Sequence, residues 1–480
     1  MPDNALTDTP VPPPPADTVA YGFGARLKRA VTGDASTPLV FLGNFEVEEE
    51  WARGEAGLPR VSAESGVAVV NRMDEFALLL GGEDDHVVLK SAPDPDYLDH
   101  LRRLGLGLPT VHVVREQVPA HTVTRDALAD PGLLATLRRL GARGARLLPH
   151  GASAPEEELA DRAGIALALP GAAVAKPVNS KVYSRRTADL LGLRQPRGWG
   201  CTTLDELDAA IEAASALLDA GRTVLVKEAY GVSGKGIAEV TESRRLARLR
   251  TMIGRSARKS GTDRIAFVIE EKVAKRADLN YQFTLAGDGS VHLDFVKEAL
   301  TEAGVHKGHR FPPALSARQL DEIGTAARLL GGQLAADGFY GVVGVDAMVD
   351  PEGGLYPVIE INARNNMSTY QTRLQEYLVG PGRCALARHH PLLLGEELDF
   401  AAVRRLLGDL LLDRPDGSGF VVNNFATVNA GATAEGPHHG RLYGLLVADS
   451  PSRLAALDAA VEERVRHLGP HRSEGNRHDH

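Results

Sequence analysis

Cysteine is almost missing from this chain: Cys201 and Cys384 are the only two in 480 residues. Two thiols so far apart make no disulfide framework, and neither has a partner at metal-ligand spacing, which fits a reducing cytoplasm. No apolar run is long enough to span a bilayer, so no membrane association is expected. A basic surplus is also lacking. The formal charge of −9 argues against a nucleic-acid binder, which normally shows a basic face. The N-terminus has neither the charged start nor the apolar core of a signal peptide. Residues 1–17, with Pro12-Pro13-Pro14-Pro15, read as a disordered leader, and residues 469–480 as a frayed polar tail. No repeat recurs at a solenoid period.

What is present is globular. The chain is 43% hydrophobic and 24% charged, and its length calls for two or three domains. Pro38–Phe45, Val67–Val70, His86–Lys90 and Thr110–Val114 read as strands with helical stretches between them, the alternation of a parallel α/β sheet. Leu133–Leu148 is a further helix-strand unit. No Gly-x-Gly-x-x-Gly follows the first strand, so a dinucleotide site has little support. We place this first domain at residues 18–175. A second, at 176–395, opens on a helix capped by Asn179 or Ser180 and continues through a helix over Leu204–Leu218. A small C-terminal unit occupies 396–468, where Asn423 and Asn424 interrupt an apolar strand.

The most informative stretch is Gly338–Arg364. Two apolar runs flank Pro351-Glu352-Gly353-Gly354, the pattern of a hairpin with a longer loop. Asp346 interrupts the first run; Glu360 and Asn362, two residues apart, share one face of the second. Buried carboxylates need a compensating cation, and hard oxygen ligands suit Mg²⁺. The plainer alternative is an edge hairpin with solvated acids. Upstream, the strand Thr223–Lys227 ends in a lysine and leads into Tyr230-Gly231-Val232-Ser233-Gly234-Lys235-Gly236. Glycines let backbone N–H groups approach phosphate oxygens, and Lys227 supplies charge. The loop matches neither a P-loop nor a kinase loop.

Taken in order, Ser180-Lys181, strand-Lys227, the glycine loop, strand-Glu270-Glu271 and Asp346…Glu360-Ile361-Asn362-Ala363-Arg364 resemble the ATP-grasp superfamily. The resemblance covers about residues 176–390, and Glu-x-Asn-x-Arg is its most specific part. The preceding domain, with Gly43-Asn44-Phe45-Glu46 and Trp51, looks like a pre-ATP-grasp domain, and the C-terminal unit looks like that of pheganomycin-type peptide ligases. The implied fold class is α/β and α+β: a parallel pre-ATP-grasp domain, a two-lobed ATP-grasp domain and a small C-terminal α/β unit.

The resemblance also implies roles. Lys181 and Lys227 contact the α- and β-phosphates of ATP, and Gly231, Ser233, Gly234 and Gly236 fold over the triphosphate. Glu270 takes the adenine amino group, the backbone of Glu271 and Val273 reads the adenine edge, and Asp278 holds the ribose. Asp346, Glu360 and Asn362 hold two Mg²⁺ ions, for which Mn²⁺ can substitute. Arg364, with Lys227, serves catalysis by steadying the transferring phosphoryl group. Lys297, His306, Lys307, Arg310 and Asn365 are candidate substrate contacts, with His306–Arg310 read as a cationic segment following a strand. The expected activity is ATP-dependent ligation of a small-molecule carboxylate to an amine, joining amino acids or short peptides in natural-product biosynthesis. A carboxylase or transferase on the same scaffold, and a non-catalytic nucleotide-binding module, are the alternatives.

Overall fold

In the computed structural model, residues 22–58, 66–231, 236–259, 264–302, 305–432 and 437–468 are described; the leader and tail expected at the ends lie outside this set. β1 (Leu39–Leu42), β2 (His86–Leu89), β3 (Thr110–Val113) and β4 (Arg146–Pro149) form one sheet, all parallel in the order β3-β2-β1-β4. Val40, Phe41, Val87, Val88 and Leu147 are fully or almost fully buried, as continuous apolar strands covered on both faces should be. Gly43 ends β1 where only a glycine fits: a Cβ there would lie 2.7 Å from the Asp74 Cα.

The strand expected over Val67–Val70 is a helix, Val67–Asn71, running into a 3-10 turn over Arg72–Leu79. Four apolar residues suit either state, and periodicity cannot separate them. Here the run closes over the sheet, and Phe76–Leu80 enter the core.

β5 (Gly198–Thr203), β6 (Val224–Glu228), β7 (Ile237–Val240) and β8 (Arg264–Glu271) form a second, antiparallel sheet in the order β5-β8-β6-β7. Helices Leu204–Asp219 and Ser243–Lys259 cover it, with Leu207, Ala214, Leu246 and Ile253 in a shared core. This is the smaller lobe. The larger one is an eight-stranded sheet of β9 (Ala277–Leu285), β10 (Val291–Glu302), β11 (Val305–Phe311), β12 (Gly341–Val349), β13 (Leu355–Asn362), β14 (Cys384–Leu394), β15 (Gly419–Asn424) and β16 (His438–Ala448). Its order is β13-β12-β9-β10-β11-β14-β16-β15.

Three features of this sheet refine the sequence reading. The hairpin β12–β13 forms as expected, with Asp350–Gly354 at its turn. The cationic segment His306–Arg310 is part of strand β11, paired to β10 and β14; cross-strand bonding overrides its polarity. β14 runs through Pro391 and pairs with β16 along its whole length, so the C-terminal strands continue the sheet that carries the site. Asn424 is structural there: its Oδ1 accepts from the Thr427 N–H at 3.1 Å and hydroxyl at 2.9 Å.

The first domain is tied to this sheet by buried polar groups. The Glu75 Oε2 accepts from the N–H of Phe425 at 2.6 Å and of Ala426 at 2.7 Å. Burial pushes the Glu75 carboxyl up to about 7 from an ordinary 4.5. A carboxyl raised in the folded state gives stability that is complete below its unfolded value and is lost as pH rises through the folded one. Glu75→Gln keeps an acceptor and removes the charge. Its stability is therefore expected to fall less than wild type between about pH 5 and pH 8, by roughly 3 kcal/mol in unfolding free energy. Urea titrations at the two pH values check this; parallel losses would show Glu75 ionised throughout.

Candidate active site

Register places the acids of the larger lobe. Asp346 on β12 lies directly across from Glu360 on β13, and Gly344 lies across from Asn362. On the other side Asp346 faces Asn280 of β9, which faces Lys297 of β10. Directly opposed residues share a face, so Glu360, Asp346, Asn280 and Lys297 form one polar row across four strands. The Asn280 Nδ2 donates to Asp346 Oδ1 at 2.9 Å, and the Asn362 amide faces its other oxygen at 3.5 Å. Burial, and then the charge of Glu360, push the Asp346 carboxyl up to about 6.

Lys181 answers this negative charge. It is the first residue of the helix Lys181–Leu190, capped by the Ser180 side chain on the Val182 N–H, and that helix packs on β13 through the Ser184 hydroxyl, which accepts from the Ile361 N–H at 2.9 Å. The Lys181 Nζ lies 2.6 Å from Glu360 Oε1 and donates to the Gly231 carbonyl at 2.7 Å. One lysine thus bridges the acid hairpin and the start of the glycine loop. Gly236 closes the described part of that loop, with φ +79°; Ser233 and Gly234 lie outside the described residues.

Arg364 sits just past β13. Its Nη2 donates to Asn362 Oδ1 at 3.0 Å and its Nη1 to the Asn365 carbonyl at 2.9 Å. The same guanidinium pairs with Glu48 of the first domain, both side chains largely buried. Glu48, Trp51, Asn179, Lys181, Tyr230, Gly231, Glu360, Asn362 and Arg364 line one pocket. Glu48 is the residue that the sequence reading missed. Its signal was present in Val47-Glu48-Glu49-Glu50-Trp51: Val47 and Trp51 are four apart and buried, and Glu48 is buried beside them in the helix Val47–Ala52.

A second group lies on the smaller lobe. The Lys227 Nζ is 2.5 Å from Glu270 Oε1, a diagonal pair across β6 and β8, and Arg185 Nη1 approaches the same carboxylate at 3.7 Å. Glu271 pairs with Arg222. Its backbone N–H donates to the Arg197 carbonyl at 2.7 Å. Val273 is half-buried in the following connection. Asp278, on β9, is held by Lys275 at 2.5 Å and the Thr301 hydroxyl at 2.8 Å.

Among the candidate substrate contacts, Lys297 stands in the polar row, two strands from Asp346 and so about 10 Å away. It is fully buried, its Nζ lies 4.0 Å from the Phe295 ring centroid, and burial pulls its ammonium down to about 7. Asn365 stands apart from the pocket at the junction with β4: its N–H donates to the His150 carbonyl at 3.0 Å. Arg310 is exposed on β11, 3.7 Å from Glu298. Lys307 is half-buried on the same strand, and the His306 side chain lies outside the described set.

Among the described residues no group of three or more His, Cys, Asp or Glu converges as a metal site. Two carboxylates and an amide converge instead. Such a donor set fits a divalent cation whose remaining positions are taken by phosphate oxygens and water. The half-buried Asp346–Glu360 pair already calls for positive charge, which Lys181 supplies in this structure.

Residues 73–165 match the family model of the pre-ATP-grasp domain. A search of solved structures finds an ADP complex of N5-carboxyaminoimidazole ribonucleotide synthetase, at 12% identity and a TM-score of 0.52, covering 90% of this chain and 98% of the other. Biotin carboxylase from Campylobacter jejuni aligns over 88% of this chain and 89% of its own, at 12% identity and a TM-score of 0.50. The chain shares their fold. Among curated proteins, the [butirosin acyl-carrier protein]–L-glutamate ligase of Niallia circulans is 28% identical over 330 residues, 67% of this chain and 71% of that protein. The match to solved structures establishes the ATP-grasp fold alone. No described helix is long and apolar enough to cross a membrane.

The Arg364–Glu48 pair gives the site a direct test. Breaking a buried ion pair strands the remaining charge and costs about 3 kcal/mol. Glu48→Ala is expected to lower unfolding free energy by that order in urea titrations without nucleotide. An unchanged midpoint would mean that Arg364 does not depend on the first domain for its partner.

Proposed function

We propose that this enzyme is an ATP-dependent ligase that activates a carboxylate as an acyl phosphate and transfers the acyl group to an amine, joining amino acids or short peptides. The observation that carries this reading is the convergence of Lys181, Glu360, Asn362, Arg364 and Glu48 on one pocket. A carboxylate is a poor electrophile because oxide is a poor leaving group. One carboxylate oxygen attacks the γ-phosphorus of ATP, the β–γ bridging bond breaks, and ADP leaves. The amine nitrogen then attacks the acyl carbon, phosphate departs, and the amine loses a proton.

Phosphoryl transfer is governed by positioning and charge. In this assignment Lys181 and Lys227 hold the α- and β-phosphates, with Gly231, Ser233, Gly234 and Gly236 over the triphosphate. Glu270, the Glu271 and Val273 backbone, and Asp278 receive the nucleoside. Asp346, Glu360 and Asn362 would hold two Mg²⁺ ions, which when bound neutralise the β- and γ-phosphates. Binding of the nucleotide draws Lys181 from Glu360, exchanging one cation on that carboxylate for another. Arg364 steadies the transferring phosphoryl group and the acyl phosphate, and Trp51 helps exclude water that would hydrolyse it.

The Arg364–Glu48 pair supports an amino acid as the donor. It sets a cation beside an anion, the complement of a zwitterion. A donor placing its carboxylate on Arg364 and its ammonium on Glu48 strands neither charge. A second acceptor class is favoured by the butirosin relative, whose name makes an acyl-carrier protein its substrate. The same acyl phosphate is open to a carrier-bound thiol or amine. The substrate roles of Lys297, His306, Lys307, Arg310 and Asn365 belong to this proposal too, with Lys297 the nearest in register to the acid row.

An ADP-release screen of amino-acid pairs, with mass spectrometry of the products, tests the reaction. ADP release that needs bicarbonate and no amine would overturn it in favour of a carboxylase. Arg364→Lys is expected to fold and to bind ATP, yet to lose product formation roughly a hundredfold, the scale for removing one charge-stabilising donor. Wild-type ligation by this variant would remove Arg364 from the chemistry.

A further inference from the structure

The helix Ser243–Lys259, between β7 and β8, contains Arg244, Arg245, Arg248, Arg250, Arg255, Arg258 and Lys259 and no acidic residue. It does so in a chain whose net charge is −9. Leu246, Ile253 and Ala257 are buried against the smaller lobe, and their spacing of i, i+7, i+11 defines one helix face. All the cations except Arg250 are exposed, on the face opposite that stripe. Arg250 is bound twice to Asp208, each bond 2.6 Å. The other six make no ion pair among the described residues.

Nothing in the helix itself rewards this arrangement. Arg258 and Lys259 suit the negative end of the helix dipole, but Arg244 and Arg245 sit at the positive end, where cations are unfavourable. Arg244 with Arg248, and Arg255 with Lys259, are like charges four apart, which repel. Met252, 41% exposed, lies within the basic face and offers an adaptable apolar contact. At 1.5 Å per residue the face runs for about 25 Å.

Topology brings one end of this helix to the loop end of the smaller lobe. β6 runs toward the glycine loop and β7 away from it. β8 begins beside the loop again, where the Ala229 N–H donates to the Ala266 carbonyl at 3.0 Å. The helix therefore returns along the lobe, and its C-terminal end lies at the loop end of the sheet. There the Ala229 carbonyl accepts from the Lys181 N–H at 3.1 Å.

We infer that the exposed basic face of this helix is the docking surface for an acidic carrier protein that presents the acceptor to the pocket. The inference rests on the ligase reading above and extends it to the partner. Charge complementarity carries it: an acidic helical protein meets a single-sign stripe whose C-terminal end lies at the loop end of the smaller lobe. A nucleic acid fits less well. The helix has no aromatic, Asn, Gln or His to stack on or read a base.

The test compares wild type with the combined variant Arg244→Glu, Arg245→Glu, Arg248→Glu, Arg255→Glu and Arg258→Glu, and with the same five positions changed to Gln. Acceptors are the holo butirosin acyl-carrier protein and free pantetheine; short single-stranded RNA is the binding control. Expected are a salt-sensitive KM for the carrier protein, raised roughly a hundredfold in the Glu variant and less in the Gln variant, and unchanged turnover of pantetheine. Equal carrier KM values in all three proteins would overturn the proposal. So would wild-type binding to RNA but not to the carrier protein, or pantetheine turnover with no carrier binding. Failure of wild type to release ADP with either acceptor, while amino-acid pairs do support release, would overturn the docking face alone; failure with all of them would sink the ligase reading.

Discussion

Two carboxylates held side by side on neighbouring strands set the terms for the whole molecule. Asp346 and Glu360 are fixed opposite each other by the register of β12 and β13, and in a poorly solvated setting neither tolerates the other's charge. Lys181, Asn280, Asn362 and, through Asn362, Arg364 are arranged around them. Lys181 and Asn280 come from other segments than Asn362 and Arg364, so satisfying that charge pulls the first helix of the second domain, the glycine loop and the end of β13 into one place.

The first domain completes the arrangement. Glu48 pairs with Arg364, and His150, at the end of β4, joins the Tyr370 hydroxyl at 2.8 Å. Arg373 donates to the Gly107 carbonyl at 2.8 Å. These contacts are buried or half-buried, the kind whose removal leaves a group stranded. A domain that contributes none of Asp346, Glu360 and Asn362 therefore still holds the arginine proposed to steady the acyl phosphate. Lys227 and Glu270 neutralise each other in the smaller lobe much as Lys181 and Glu360 do in the larger. Both lysines are thus held by carboxylates in this structure.

Much of this was legible in the residues. The Asp346, Glu360 and Asn362 set could be read because strand periodicity fixes which side chains share a face, and a hairpin turn fixes which strands meet. Lys181 at a capped helix start, and Lys227 before a glycine loop, followed from equally local rules. Val67–Val70 was misread because four apolar residues carry no period of their own. The strand over His306–Arg310 was hidden because its polarity suits a loop, and only its two neighbours make it a strand.

The sequence by itself determined most of the elements, the acid hairpin and the order of basic and glycine-rich segments on which the ATP-grasp resemblance rests. These depend on neighbours a few residues apart, and backbone geometry makes such relations nearly independent of context. Tertiary structure alone decided that Lys181 lies on Glu360, that Lys227 lies on Glu270, and that Glu48 meets Arg364 more than three hundred residues further on. Those pairings depend on how segments distant in the chain pack. Any lysine and any carboxylate attract, so no local rule selects one partner from many; burial of a particular pair does.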